Sequence, residues 1–428
     1  MTPGSDAGLA PMSGRFFVFR LGVLMTTVLV DMIGFLIVLP LLPFYALRFG
    51  ASDTMVGLLI STFAFAQLAS SPLWGRLSDR LGRRPVILGS LLVSAAAFLL
   101  FGLAESVALL FASRLVQGIG GGTTGVLQAY VSDTAAPHQR TKALGWLSAA
   151  TSAGVMIGPL IGSAAARLGE AAPGYIAAGL CVVNFLFAWW LLPESIAREE
   201  EGAAPSTGGP MEEIPPPARL RPSLRRSVVD VLSHPANDRS RLIWIYTFGM
   251  MAFMAMNGVV VLYLDRRFGV SAENVGWFYF YVGGLSLLMR ALLLGPINER
   301  LGDVRTLRIG ALALGLGLAL APVPSTLWGL AVVIALVPIG TALLFPATTS
   351  LVSRYSLRGE TGQNLGVQQA FGGVARMLGP VWATAVFGHI GRAAPFWIAA
   401  ALMGGVLAIA LSVSRPRPSS PPAPLEPA

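Results

Sequence analysis

Apolar stretches long enough to cross a bilayer recur along this chain, each closed by a short polar or charged turn. A spanning helix needs about 20 predominantly apolar residues. The pattern places such runs at 16–45, 54–74, 85–103, 107–132, 141–166 and 174–192, and again at 241–264, 274–297, 305–323, 326–350, 362–388 and 394–413. Twelve spans in two sets of six follow. A polar tail (1–15) precedes them and a Pro-rich disordered tail (414–428) closes the chain. Between the sets, 193–240 is rich in Pro, Gly, Glu and Arg and reads mostly as a solvated linker unable to bury a core. Within it, residues 224–234 (LRRSVVDVLSH) alternate basic and apolar positions like a helix lying on a membrane surface.

Composition turns this pattern into a class. The chain has 428 residues, 54% hydrophobic and 12% charged, against about 25% charged in soluble domains, and its mean hydropathy is +0.68. An all-α integral membrane protein is expected. A net charge of +9 would suggest nucleic acid in a soluble protein, but here it follows the positive-inside rule. Of the 30 basic residues, 22 fall in the tails and loops on the amino-terminal side and 5 on the other (Arg48, Arg167, Arg266, Arg267 and Arg392). Both termini are therefore expected in the cytoplasm. The single cysteine, Cys181, excludes disulfides, and His138, His234 and His389 show no metal-ligand spacing. The first apolar run is too long for a cleavable signal peptide and leads directly into further spans. Neither a nucleophile elbow nor a metal cluster points to an enzyme.

Charge concentrates at 75–86 (GRLSDRLGRRPV), a glycine-punctuated turn between spans two and three. Gly75 and Gly82 let the backbone turn. Asp79 offers a carboxylate that must find a partner near the membrane surface. The spacing G-x-x-x-D-R-x-G-R-R resembles the signature loop between helices two and three of the major facilitator superfamily. A weakened copy recurs at 295–302 (GPINERLG), and Gly158-Pro159 recurs as Gly379-Pro380. The resemblance implies two pseudo-symmetric six-helix bundles, 16–192 and 241–413, with substrate bound between internal repeats.

Asp31 lies about fifteen residues into the first span. An ionisable group at that depth costs roughly 2.5–3.5 kcal/mol on insertion scales, so it should face a cavity or a partner. Desolvation disfavours the charged form and makes proton binding near neutral pH possible. A structural hydrogen-bond network is the alternative. Span four holds Arg114, Gln117 and a glycine run, GIGGGTTG, that lacks the Gly-Lys-Ser/Thr ending of a phosphate loop. R-x-x-Q-G resembles the fourth-helix motif of proton-coupled antiporters, which implies that Arg114 favours the deprotonated form of a nearby acid. A polar staple to backbone carbonyls is the alternative. In span five, Gly145, Gly154, Gly158, Pro159 and Gly162 resemble the antiporter motif of exporters, with Ser163 where its final glycine stands.

The first half as a whole resembles the tetracycline-efflux branch, with one departure: predicted spans three and nine carry no carboxylate. What the resemblance implies is a proton-coupled exporter of a small amphipathic drug, working by alternating access. It implies no cofactor beyond the proton gradient, and as partners a small-molecule substrate, protons and the lipid bilayer, with no nucleic acid. A monomer in a bacterial inner membrane is expected. Asp31 and Arg114 would couple protons. Asp79 would latch the inner gate against a second-half helix, with Gly75, Arg80, Gly82, Arg83, Arg84 and Asp133 in the same gating network. Candidates for the substrate cavity are Gln117, Met254, Asn257, Arg290, Gln368 and Arg376. The alternative is a facilitator or symporter of an anionic metabolite, drawn by Arg114, Arg290 and Arg376.

Overall fold

The computed structural model describes residues 14–121, 124–134, 140–194, 224–356 and 360–413. Residues 1–13 of the expected amino-terminal tail (1–15), the expected tail 414–428 and most of the linker (195–223) lie outside the described residues, while 14 and 15 open α1. In chain order the helices are α1 (Gly14–Val38), α2 (Leu42–Arg48), α3 (Asp53–Leu81), α4 (Arg83–Gly102), α5 (Val107–Gly120), α6 (Thr124–Thr134), α7 (Arg140–Ala166) and α8 (Ala172–Leu191). There follow α9 (Leu224–Ser233), α10 (Asp238–Phe268), α11 (Val275–Leu288), α12 (Leu294–Leu301), α13 (Asp303–Leu320), α14 (Leu327–Ile334), α15 (Leu336–Tyr355), α16 (Thr361–His389) and α17 (Ala394–Ser412). A π-helical turn, Met289–Leu293, joins α11 to α12. No strand occurs among the described residues.

Each expected span has a helix. Among the described residues, ten helical stretches are long and apolar enough to cross a membrane. In span four, α5 ends at Gly120 and α6 begins at Thr124, with 122–123 outside the described residues, and in span nine α13 opens with Asp303, Arg305 and Arg308. Ser52, Ser106 and Thr326 start α3, α5 and α14 by accepting a backbone N–H three residues on, the usual use of a short hydroxyl at a helix start.

Two compact units form, one within Met1–Gly208 together with Val260–Leu287, the other within Gly209–Val259 together with Leu288–Ala428. One boundary lies in the expected linker. The others lie inside α10 and near the end of α11, so the first unit holds the end of α10 and most of α11 besides the first six spans.

In the first unit α1 packs on α7 and α8, α4 on α8 and α5, and α3 on α5. In the second, α13 packs on α15 and α17. Glycines set these approaches. A Cβ on Gly120 would meet Ser90 O at 3.3 Å, between α5 and α4. A Cβ on Gly340 would meet Gly310 O at 2.8 Å, between α15 and α13. Ser90 and Gly120 precede Gly310 and Gly340 by the same 220 residues that separate Gly75 from Gly295. The internal repeat is thus expressed in packing as well as in motif. The surface helix expected at 224–234 is α9; it buries Val231, leaves Val229 and Leu232 exposed, and Ser227 Oγ accepts from Gln363 Nε2 of α16 at 2.6 Å.

Candidate functional site

The frame around Asp31 is built by small residues. Gly154, Gly158 and Gly162 recur one turn apart on α7 and seat α1. A Cβ on Gly154 would meet Met32 Cβ at 2.6 Å, and one on Gly158 would meet Ile33 O and Leu36 Cβ at 2.9 Å. Close helix approach through such a stripe is the means by which membrane helices associate without a hydrophobic driving force. A Cβ on Gly145 would meet nothing within 4 Å among the described residues, so this glycine is not required by the packing. On α1, Thr27, Asp31 and Gly34 form the stripe toward α8. Asn184 Nδ2 donates to Thr27 O at 2.9 Å, and a Cβ on Gly34 would meet Cys181 Sγ and Phe98 Cε2 of α4, both at 3.4 Å. Asp31 is half-buried, an electrostatic neighbour of Cys181, and has no hydrogen bond or ion pair among the described residues.

Arg114 is fully buried, at 0% exposure. Its Nε and both Nη atoms have no hydrogen-bond partner among the described residues, and the guanidinium carbon lies 5.7 Å from the Phe101 ring centroid. One turn on, Gln117 is also buried, with neither amide atom bonded among the described residues. No ion pair joins Arg114 to Asp31 among the described residues. Arg114 meets an aromatic face where the sequence suggested an acid.

The turn at 75–86 differs in form from the expected hairpin. It is helical almost throughout: α3 continues to Leu81, α4 begins at Arg83, and Gly82 alone makes the break with φ +101° and ψ +161°. Without a Cβ that conformation is open; with one it is nearly forbidden. Arg83 gathers the network. Its Nη1 donates to Ser78 Oγ and Asp79 Oδ1, both at 2.6 Å, and its Nε donates to Asp133 Oδ2 of α6 at 3.1 Å. Asp79 is therefore engaged within its own turn. Arg84 Nη2 donates to Trp189 O, capping the last turn of α8. Arg80 and Arg76 have no partner among the described residues. A Cβ on Gly75 would meet nothing within 4 Å among the described residues.

Glu194, just past α8, was not a candidate from the sequence. Its carboxylate accepts the backbone N–H groups of Arg83 (2.9 Å) and Arg84 (3.1 Å), the open donors at the start of α4. A lone acid directly after span six, on the same side as the basic turn, was the available signal.

The second copy of the turn is likewise broken by one glycine, Gly302 at φ +76° and ψ +161°. Asp303 occupies the place of Arg83. It is buried and accepts from Asn298 Nδ2 at 2.7 Å, Ser350 Oγ at 3.0 Å and Arg354 Nε at 3.1 Å. Span nine was expected to hold no carboxylate; α13 starts two residues earlier than expected and has one as its first residue.

The remaining second-half candidates are dispersed. Met254 packs against Gly379, whose Cβ would lie 2.9 Å from Met254 Cβ, so it belongs to the α10–α16 contact. Asn257 Nδ2 bonds Phe253 O of its own helix at 2.9 Å. Gln368 is buried, donates to Thr349 Oγ1 at 3.4 Å and leaves Oε1 unbonded. Arg290 is exposed on the π-helical turn and Arg376 is half-buried, neither with a partner among the described residues.

Ser163 explains its departure from the glycine pattern. Its Oγ donates to Ala272 O and accepts the N–H of Gly276 at the start of α11, both at 2.8 Å. Asp53 and Arg266 form a two-point ion pair in the same unit, one contact being Nη1 to Oδ2 at 2.8 Å.

An all-helical bundle with a packed internal repeat, a charged one-residue turn in each copy and polar groups buried within spans is the architecture of a multi-pass membrane protein. The sequence model of the Major Facilitator Superfamily matches residues 24–293 and 242–428, and the chain belongs to that family. It is 27% identical over 396 residues to the tetracycline resistance protein, class D, of Salmonella ordonez, covering 91% of this chain and 96% of the relative. It is also 27% identical to multidrug resistance protein 2 of Bacillus subtilis (strain 168), covering 84% and 86%. The crystal structure of the human organic anion transporter MFSD10 (TETRAN) shares the fold, with a TM-score of 0.67 and 24% identity over 92% of this chain and 99% of that one.

Proposed function

We propose that the protein exports a small amphipathic drug, tetracycline-like or broader, in exchange for protons. It would work by alternating access in a bacterial cytoplasmic membrane, with both termini inside. The observation that carries this reading is Asp31: a carboxyl set deep in a spanning helix, on a helix seated by three glycines of α7, with no ion pair or hydrogen bond among the described residues to hold it in one charge state. A carboxyl so placed can gain and lose a proton at modest cost. The relatives named for tetracycline and multidrug resistance support the direction and substrate class. Proteoliposome flux tests it. Asp31→Asn is expected to abolish uphill drug movement driven by a pH gradient while leaving downhill exchange intact. Uphill export that persists in that variant, still driven by the gradient, overturns the assignment.

A second reading, transport of an organic anion, rests on Arg114. A buried guanidinium with none of its three nitrogens bonded among the described residues, one turn from a likewise unbonded amide, suits a carboxylate or phosphate ligand. The same vesicles separate the two readings: anion flux indifferent to the pH gradient and lost in Arg114→Gln favours this one.

A further inference from the structure

The four arginines of the α3–α4 turn divide into two pairs. Arg83 and Arg84 are spent on Asp79, Asp133, Ser78 and the end of α8. Arg76 and Arg80 stand one turn apart on the last turns of α3, exposed and without a partner among the described residues. Between them and α5 lies a groove of about 480 Å³ lined also by Ser70, Leu73, Trp74, Leu77 and Ile119.

The polar groups of its wall are already committed. Ser70 Oγ bonds Gly118 O at 3.2 Å, and Trp74 Nε1 donates to Ile119 O, so the indole shows the groove only its apolar ring. What remains is a greasy trough with two cations at its mouth. Along its wall a sugar or peptide would find no free polar group, and only the two guanidiniums at the mouth could bond it. Depth decides the occupant. The 29 residues of α3 extend about 43 Å at 1.5 Å per residue, against a hydrocarbon core of about 30 Å. Its final turns therefore reach the headgroup layer, with Leu73 and Trp74 just below. Guanidiniums one turn apart, about 5–6 Å between Cβ atoms, can both reach one phosphodiester.

We infer that this groove binds an anionic phospholipid of the adjoining leaflet, its phosphate between Arg76 and Arg80 and an acyl chain along Leu73, Trp74, Leu77 and Ile119. The inference stands apart from the transport reading, because it is read by lipid retention rather than flux.

The test is quenching of Trp74 by brominated lipid in reconstituted vesicles. The Trp74 signal is the part lost in Trp74→Phe. Brominated phosphatidylglycerol should quench it in preference to brominated phosphatidylcholine at equal mole fraction, on the order of fivefold per arginine. Arg76→Gln with Arg80→Gln should remove the preference, and Arg76→Lys with Arg80→Lys should keep most of it. Equal quenching by the two lipids, or a preference that survives the glutamine pair, overturns the inference, as does its loss in the lysine pair. Displacement by millimolar inorganic phosphate would show a site for phosphate alone and overturn the lipid. If Trp74→Phe does not fold, native mass spectrometry of lipid retained by the wild type and the glutamine pair reads the same preference.

Discussion

Gly82 and Gly302 show how much one residue can decide. Both adopt positive φ with extended ψ, a region essentially reserved for glycine, and a side chain held there costs on the order of 1–3 kcal/mol. At Gly82 a Cβ would also sit 2.5 Å from Glu194 Oε2, whereas at Gly302 nothing lies within 4 Å. Gly82→Ala is therefore expected to lower the thermal midpoint in detergent further than Gly302→Ala, by the lost anchoring of Glu194 beyond the shared strain. Equal losses would mean that Glu194 contributes nothing. The glycines and arginines of this turn were legible in the sequence because they occur at fixed offsets between two apolar runs. Glu194 was not, because its role is to satisfy backbone N–H groups more than a hundred residues away, and pattern along the chain carries no such information. The environment of Asp31 was hidden for the same reason: depth can be counted along a span, but which neighbour a stripe faces depends on how α1, α4 and α8 pack.

At the scale of the element, the two turns are one device built with opposite signs. Arg83 reaches across to Asp133 in the first copy, and Asp303 reaches across to Arg354 in the second. Each is braced by a polar residue five positions earlier, Ser78 or Asn298. The weakened motif at 295–302 was visible in the sequence. Its inversion was not, because the partner lies on another helix. The two copies should differ in their tolerance of exchange. Asn298 and Ser350 can each donate or accept, so Asp303→Arg combined with Arg354→Asp keeps every bond possible. The single Asp303→Arg places a cation in a buried site beside Arg354 and is expected to cost on the order of 3 kcal/mol; the double variant should recover most of that in thermal midpoint. Arg83→Asp combined with Asp133→Arg should not recover, since it sets a carboxylate against Asp79, now 2.6 Å from the Arg83 guanidinium. Equal recovery in both copies would refute the distinction.

At the scale of the molecule, the succession of apolar helices was readable from hydropathy alone. The helix boundaries shifted where charge enters a helix: α3 and α10 overrun their apolar cores, and α13 takes in Asp303. The composition of the compact units was not readable. Val260–Leu287, from the second set of spans, groups with the first, tied there by Ser163 to α11 and by Asp53 to Arg266. With Cys181→Ala as background, Asp53→Cys and Arg266→Cys are expected to cross-link with a short bifunctional thiol reagent and to halt flux. Efficient cross-linking with undiminished flux would mean that this contact is never released during transport.

The position of α7 carries one more consequence. On one side its glycines leave α1 no clearance. On the other, Pro159 and Leu160 lie against Gly276 of α11, and Met156 Cα would be 3.0 Å from a Cβ on Gly283. It is a shim with no slack on either side. A methyl added at any of these glycines must push one neighbour or the other aside, and a displacement of α11 can reach Asp31 without any chain of charged groups, through thickness alone.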